Sequence, residues 1–398
     1  MKYISILGLF VMMIIAWTIS SDKKRMNFRL IFSGVAIQFI FALLILKTAP
    51  GETLFRGARV TVAKIISFSD AGAQFVFGPA FRDHFFAFSV LPTIIFVSAV
   101  MALLFHLGFM QLIVKGIARV MVLVMDTSGS ESLAAAANIF IGQTEAPLVI
   151  KPYIATMTNS ELMAMMTCGM ATVAGGVMAA YAGLGADAGH LLAASIMSAP
   201  ASLVIAKIII PEKEISPTKG MVKLDIPKKD ANMLDAACRG ASEGMKLALN
   251  VAAMLIAFIA IIGLLNWGFE FFPKVNGSYL SLQRILGWAF SPIAWLLGVE
   301  WKDALAVGSL LGQKTILNEF IAYTDLMKLK DSISPRSFTI ATYALCGFAN
   351  FSSIAIQIGG IGSLVPSRRK DFAKLGLKAM IGGTLAAFMT AAIAGMLI

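Results

Sequence analysis

The sequence predicts an all-α polytopic membrane protein: eight transmembrane helices plus two opposed re-entrant hairpins in an inverted repeat, with interfacial helices. Three observations predict it. The 398 residues are 58 % hydrophobic and only 14 % charged, with a mean hydropathy of +0.82, whereas soluble domains carry about a quarter charged residues. Near-uncharged apolar runs recur from end to end at roughly the 20 residues a helix needs to cross a bilayer core of ~30 Å. Two further apolar stretches are broken in the middle by polar residues and resemble each other. Open strands are excluded because lipid offers no partner for backbone groups, and the alternation of barrel strands is missing.

The spans fall at about 4–20, 30–47, 85–105, 161–183, 191–210, 247–270, 338–362 and 375–398. Lys2 alone precedes the first, while Lys23, Lys24, Arg25 and Arg29 follow it. That order is reversed for a secretory signal and fits a first span with its N-terminus outside. Four connections then face the cytoplasm. They carry those four residues, then Lys115 and Arg119, then Lys213, Lys219, Lys223, Lys228, Lys229, Arg239 and Lys246, and finally Arg368, Arg369 and Lys370. The net charge of +11 therefore reports cytoplasmic loops, and no nucleic-acid partner is expected. Residues 48–84 hold Arg56, Arg59, Lys64 and Arg82 on the outer side; their amphipathic pattern predicts a helix along the interface, its basic side chains snorkelling. Residues 116–125 are too short to cross and read as an interfacial or connecting helix, and Trp288, Trp295 and Trp301 read as belt residues. Residues 212–240, with Pro217 and Pro227, are the one long polar linker.

Residues 131–158 and 303–330 each read as two short helices with a polar tip. Ile139-Phe140-Ile141-Gly142-Gln143-Thr144-Glu145 matches Ser309-Leu310-Leu311-Gly312-Gln313-Lys314-Thr315, with Glu319 a turn further on. Each stretch is followed by an interrupted span, at Thr172-Val173-Ala174-Gly175-Gly176 and at Gly347-Phe348-Ala349-Asn350-Phe351-Ser352-Ser353. Hairpins entering from opposite faces bring their tips and the interrupted helices together near the midplane, the way secondary transporters build their sites. A carboxylate in such a stretch costs ~2.5–3.5 kcal/mol on insertion scales, so Glu145 and Glu319 mark a site. Their neighbours Gln143, Thr144, Asn318, Asn350 and Ser353 are neutral donors and acceptors. That set suits an uncharged, polyhydroxylated solute with amide-like edges; sugars, nucleosides and nucleobases all satisfy it.

Other chemistries find little support. Gly308-Ser309-Leu310-Leu311-Gly312-Gln313-Lys314-Thr315 misses the Gly-Lys adjacency of a phosphate loop. His84, His106 and His190 stand singly, and Cys168, Cys238 and Cys346 are far apart, so neither a metal centre nor a disulfide framework is expected. No nucleophile–base set and no intramembrane aspartate pair occurs inside the spans; the chain is read as a transporter and not an enzyme, without an organic cofactor.

At Gly142–Pro147, Gly312-Gln313, Asn318-Glu319-Phe320 and Gly347–Ser353, the sequence resembles the concentrative nucleoside transporter family. Phe75–Gly78 and Ser334-Pro335-Arg336 share the likeness, which runs in order along nearly the whole chain. It implies a homotrimeric, sodium- or proton-driven symporter in the cell inner (plasma) membrane, each protomer with a scaffold and a transport domain that moves like an elevator. The chain then divides into residues 1–110, N-terminal spans and mainly scaffold; 111–211, the first transport repeat; 212–300, linker and scaffold span; and 301–398, the second transport repeat. The resemblance assigns Gln143, Thr144 and Glu145 to the nucleobase, Glu319, Asn350 and Ser353 to the ribose, and Val177 and Phe348 to apolar contact. It places Na⁺ between the Asn138 and Thr172 side chains and the carbonyls of Ile141 and Val173, oxygen ligands suited to a hard cation. Thr172 stands where the family often has serine, another hydroxyl. The Gly142-Gln143 pair resembles that of members accepting pyrimidine nucleosides, such as uridine, and sometimes purines. Proton coupling, and another neutral polar solute on the same fold, are the alternative expectations.

Overall fold

The computed structural model describes residues 1–84, 86–220, 230–275 and 277–398; Lys223, Pro227, Lys228 and Lys229 lie outside them. The chain begins with α1 (Lys2–Thr18), α2 (Phe28–Lys47), α3 (Ala49–Phe77), α4 (Leu91–His106) and α5 (Phe109–Met125). The first polar-centred stretch forms α6 (Gly129–Asn138), an irregular tip, and the single turns α7 (Ala146–Val149) and α8 (Lys151–Ile154). An interrupted span follows as α9 (Asn159–Ala171) and α10 (Gly175–Leu184), then α11 (Ala188–Ile209) and α12 (Met233–Phe269). The second half has α13 (Leu282–Leu296), α14 (Trp301–Ile316), α15 (Glu319–Lys328), α16 (Pro335–Leu345), α17 (Phe351–Leu364) and α18 (Arg369–Leu397). Every span read from the sequence coincides with one of these helices or with a helix broken at its interruption.

Three boundaries differ from the sequence reading. The helix α12 has 37 residues and begins inside the polar linker, so Arg239 and Lys246 belong to the helix and not to a connection. Its buried side is Ala236, Gly240, Gly244 and Ala248, a small residue every fourth position, which admits the backbone of α4. A Cβ on Gly244 would stand 2.8 Å from the Ile95 Cα. The helix α5 starts seven residues before the expected 116, and α13 adds an ordered helix bent by 117° against α14. The helix α3 is long and apolar enough to cross a membrane by length and composition, yet its contacts hold it along one face. Arg59 pairs with Asp187 in the α10–α11 turn at 2.7 Å, and Ser69 accepts from Thr93 in the first turn of α4 at 3.2 Å. Ser89, Thr93 and Gly183 line a single cavity with Ile66 and Asp70, so the middle of α3, from Arg59 to Asp70, touches one end of the bundle.

Burial separates an inner from an outer set. The α9–α10 span, α11 and the α18 segment have 89 %, 89 % and 83 % of their most apolar stretch buried, against 11 % for α3 and 17 % for α12. The inner set includes the α9–α10 broken helix, which packs on α6 of the first hairpin, and α18, which packs on both halves of the α16–α17 broken helix.

Each hairpin returns to the end from which it started. Ser128 and Ser130, at the start of α6, donate to Oε1 of Glu161 in the first turn of α9, at 2.5 and 2.9 Å. Both helix starts are capping boxes, Ser128 with Glu131 and Thr158 with Glu161, satisfying the orphan amides of their first turns. The Lys207 ammonium closes this base, 2.6 Å from Glu131 and 3.3 Å from Glu212. Lys207→Met is expected to destabilise the protein by about 3–5 kcal/mol, because it strands a buried carboxylate; thermal unfolding in detergent measures it. At the second base, Asp303 of α14 accepts from the Ser334 amide before α16 at 3.0 Å. Arg368, just past α17, donates to the carbonyls of Ala155 and Met157 beside the first base. The end of α17 is therefore at the first base and the start of α16 at the second, so the two hairpins enter from opposite ends.

Candidate functional site

The interruptions expose polar groups where a continuous helix would have none. Asn350 is the N-cap of α17: its Oδ1 accepts from the Ser353 amide at 2.9 Å and the Ser352 hydroxyl at 2.7 Å. The cap leaves the Asn350 Nδ2 free to donate to Oε2 of Glu319, at 2.9 Å. Glu319 opens α15 at the tip of the second hairpin, where a helix N-terminus favours negative charge. Its Oε1 accepts from the Tyr181 hydroxyl at 2.8 Å, so α10, α15 and the α16–α17 break meet on one carboxylate. A carboxylate has about four acceptor positions; these two bonds leave the others for a ligand.

The first hairpin reaches the same place. Gln143 donates from Nε2 to the Ser353 hydroxyl at 3.1 Å, and its Oε1 accepts from Nε2 of Gln357 at 3.0 Å. Gln357 also donates to the Met166 carbonyl at 3.0 Å. A carbonyl only accepts, so the Gln357 amide has one possible orientation, and it sets that of Gln143. Gly169 makes room for this pair: a Cβ there would lie 2.9 Å from both Gln143 Cβ and Gln357 Nε2. Tyr181, Glu319, Asn350, Ser353, Gln143 and Gln357 thus form one continuous polar chain, all but wholly buried.

Of the residues assigned from the sequence, Gln143, Glu319, Asn350 and Ser353 are joined in this chain. Val177 is buried one turn before Tyr181 on α10, and Phe348 is half-buried in the break. Thr144 packs its methyl toward Gly360 and donates to Glu145 at 3.0 Å. Glu145 is exposed and, among the described residues, is not bonded to the chain. Tyr181 and Gln357 escaped the sequence reading; the available signal was a hydroxyl and an amide inside otherwise apolar spans.

A second cluster lies between the hairpin tip and the α9–α10 break. The Phe140 carbonyl accepts from the Gly175 amide at 3.0 Å, drawing residues 138–141 against 172–175. Asn138 is enclosed, and its Oδ1 has no hydrogen-bond partner. Thr172 donates to the Cys168 carbonyl at 2.9 Å, which leaves its oxygen lone pairs available. The carbonyls of Ile141 and Val173 accept no backbone hydrogen bond among the described residues. Buried acceptors in surplus, with no donor, fit a small hard cation.

An inverted repeat of hairpins and broken helices around a buried polar chain defines the class: a polytopic secondary transporter. The chain belongs to the Na⁺-dependent nucleoside transporter family. The Na⁺ dependent nucleoside transporter C-terminus matches residues 190–395, the corresponding N-terminus residues 7–80, and the nucleoside recognition "Gate" residues 87–188. The uncharacterized transporter YutK of Bacillus subtilis is 47 % identical over 99 % of this chain and 98 % of its own length. Sodium/nucleoside cotransporter 1 of Rattus norvegicus is 41 % identical over the whole chain, which spans 64 % of that protein. Solute carrier family 28 member 3 of the same species is 43 % identical, and the chain spans 59 % of its length. Among solved structures, CNTnw in an inward-facing substrate-bound state is 41 % identical, with a TM-score of 0.92 over 100 % of this chain and 98 % of that one.

Proposed function

We propose that this chain is a Na⁺-coupled symporter importing nucleosides such as uridine across the plasma membrane, by elevator-type alternating access in a homotrimer. The observation that carries the reading is the Glu319 carboxylate, held by Tyr181 and Asn350 with acceptor positions to spare for two ribose hydroxyls. Ser353 and Asn350 complete the ribose contact, Val177 and Phe348 flank it, and Gln143, Thr144 and Glu145 read the base from the hairpin tip. Na⁺ held by Asn138, Ile141, Thr172 and Val173 would tie the tip to the α9–α10 break and so link ion binding to the shape of the site. The buried inner helices correspond to a moving transport domain, and the exposed apolar sides of α3 and α12 to a scaffold facing lipid and neighbouring protomers. Inward-facing, outward-facing and intermediate states of CNTnw make such a movement a natural reading for this chain. Uptake of radiolabelled uridine into proteoliposomes tests it: accumulation should require an inward Na⁺ gradient, and accumulation that follows an imposed pH gradient instead would assign coupling to protons.

Base reading has its own test. An apolar residue at Gln143 or Thr144 should change the uridine-to-adenosine uptake ratio while preferences among ribose analogues stay put. Gln357→Leu should shift the same ratio, because it frees the Gln143 amide to rotate. A uniform loss for every nucleoside would point instead to a collapsed tip.

A further inference from the structure

Beyond Asn138 the first hairpin stops being helical. The amides of Phe140 and Ile141 both donate to the Ala137 carbonyl at 3.0 Å, so the carbonyls that follow are the orphans of a helix end. Two consecutive ones are taken by donors from elsewhere in the chain. The Phe140 carbonyl accepts from the Gly175 amide at 3.0 Å, and the Ile139 carbonyl accepts from the Ser195 hydroxyl at 2.9 Å. The carbonyl of Ile141, next in line, accepts no backbone hydrogen bond among the described residues.

Ser195 lies about two turns into α11 and is wholly enclosed. A serine inside a helix commonly turns its hydroxyl back on a carbonyl of its own preceding turn, as Ser202 of α11 does with Ala199 at 2.7 Å. Ser195 reaches across to the hairpin instead. Peptide units are planar, so holding the carbonyls of Ile139 and Phe140 restricts how the next unit can turn. Neither bond needs an ion, and a tip ordered in advance binds one at lower cost. Without the hydroxyl, the Ile139 carbonyl would be a buried acceptor with nothing to hold it, a few residues from the Asn138 Oδ1, which already has no partner.

The geometry points to Ser195 as a positioning residue for the coupling ion: its hydroxyl holds the peptide unit after Ile139, so that the Ile141 carbonyl stays available to Na⁺ and the Ile139 carbonyl does not compete with it. This rests on the sodium reading above. Ser195→Ala removes the hydroxyl and barely changes the volume. The purified protein is titrated with NaCl, choline chloride holding the ionic strength, and two quantities are read: the thermal midpoint without nucleoside and the uridine affinity. A ligand that binds only the folded state raises the midpoint, so the first readout reports the ion independently of transport. The variant should need roughly three- to tenfold more Na⁺ for the same rise, the fold-change that one lost hydrogen bond produces. Its uridine affinity at saturating Na⁺ should match wild type. Ser198→Ala removes a hydroxyl one turn further along α11, which meets Thr390 at 3.3 Å and not the tip; its Na⁺ titration should be that of wild type. An unchanged titration in Ser195→Ala overturns the proposal, as does a midpoint lowered equally at every Na⁺ concentration, which is what a hydroxyl that only satisfies a frayed helix end would give. An equal displacement in Ser198→Ala overturns it too. If Ser195→Ala does not fold, Ser195→Cys takes its place: the thiol is a weak donor, so its Na⁺ requirement should still rise, and a wild-type titration overturns the proposal. A wild type whose midpoint and uridine affinity both ignore Na⁺ would remove the underlying sodium reading, a result distinct from all of these and visible without any variant.

Discussion

Glu319→Gln is expected to weaken uridine binding by roughly tenfold or more. Hydrogen bonds to a charged acceptor contribute ~1.5–3 kcal/mol each, and 1.4 kcal/mol is about a factor of ten. The substitution acts twice. It removes the charge that two ribose hydroxyls would meet, and it turns one acceptor into an NH₂ group facing either the Tyr181 hydroxyl or the Asn350 Nδ2, both of which donate to Glu319. Calorimetry with uridine and uracil separates the ribose from the base. Wild type should bind the free base poorly, and Glu319→Gln should bring uridine down toward it. Equal binding of uracil and uridine to wild type would show the ribose assignment to be wrong.

The second large effect is expected at Asn138. Ion and nucleoside binding are linked, so Na⁺ should tighten nucleoside binding by the same factor by which nucleoside tightens Na⁺. Asn138→Ala deletes an enclosed side-chain oxygen that lacks a hydrogen-bond donor, and it should abolish most of that factor. Its folded state should survive, because Asn138 donates only to the Ala134 carbonyl of its own helix, at 2.9 Å. The measurement is uridine affinity with saturating Na⁺ and without it. A variant that keeps the full linkage would move the coupling ion elsewhere, and uptake that follows a pH gradient would transfer coupling to the glutamates.

These two residues are legible in the sequence for different reasons. Glu319 is a charge in an apolar stretch, where the insertion cost itself is the signal. Asn138 stands out only through the family resemblance, since an amide near the end of a short helix commonly caps it. What distinguishes it is the lack of a partner for Oδ1, a property of surroundings contributed by segments 30 and more residues away. Gln357 shows the opposite case. One glutamine in an apolar span carries little sequence signal, and its role comes from two hydrogen bonds, to Gln143 and Met166, both more than 190 residues distant.

The placement of α3 shows where pattern reading prevails over length. Its 29 residues could cross a bilayer, but the amphipathic spacing and the arginines indicate an interfacial course, and the contacts of Arg59 and Ser69 agree. The start of α12 shows the reverse. Polar, charged residues 233–246 read as part of a cytoplasmic connection because hydropathy measures lipid exposure, whereas the helix there is held by glycines meeting the backbone of α4. By itself the sequence determined the spans, the two interruptions, the polar tips and the repeat, because each is a local consequence of transferring backbone and side chains into lipid. The tertiary structure alone decided which polar atoms meet: the chain from Tyr181 to Gln357 and the acceptor surplus around Asn138. Those pairings depend on how two hairpins from opposite ends dock against two broken helices, and hydrogen-bond geometry is fixed over a few ångströms that no periodicity along the chain encodes.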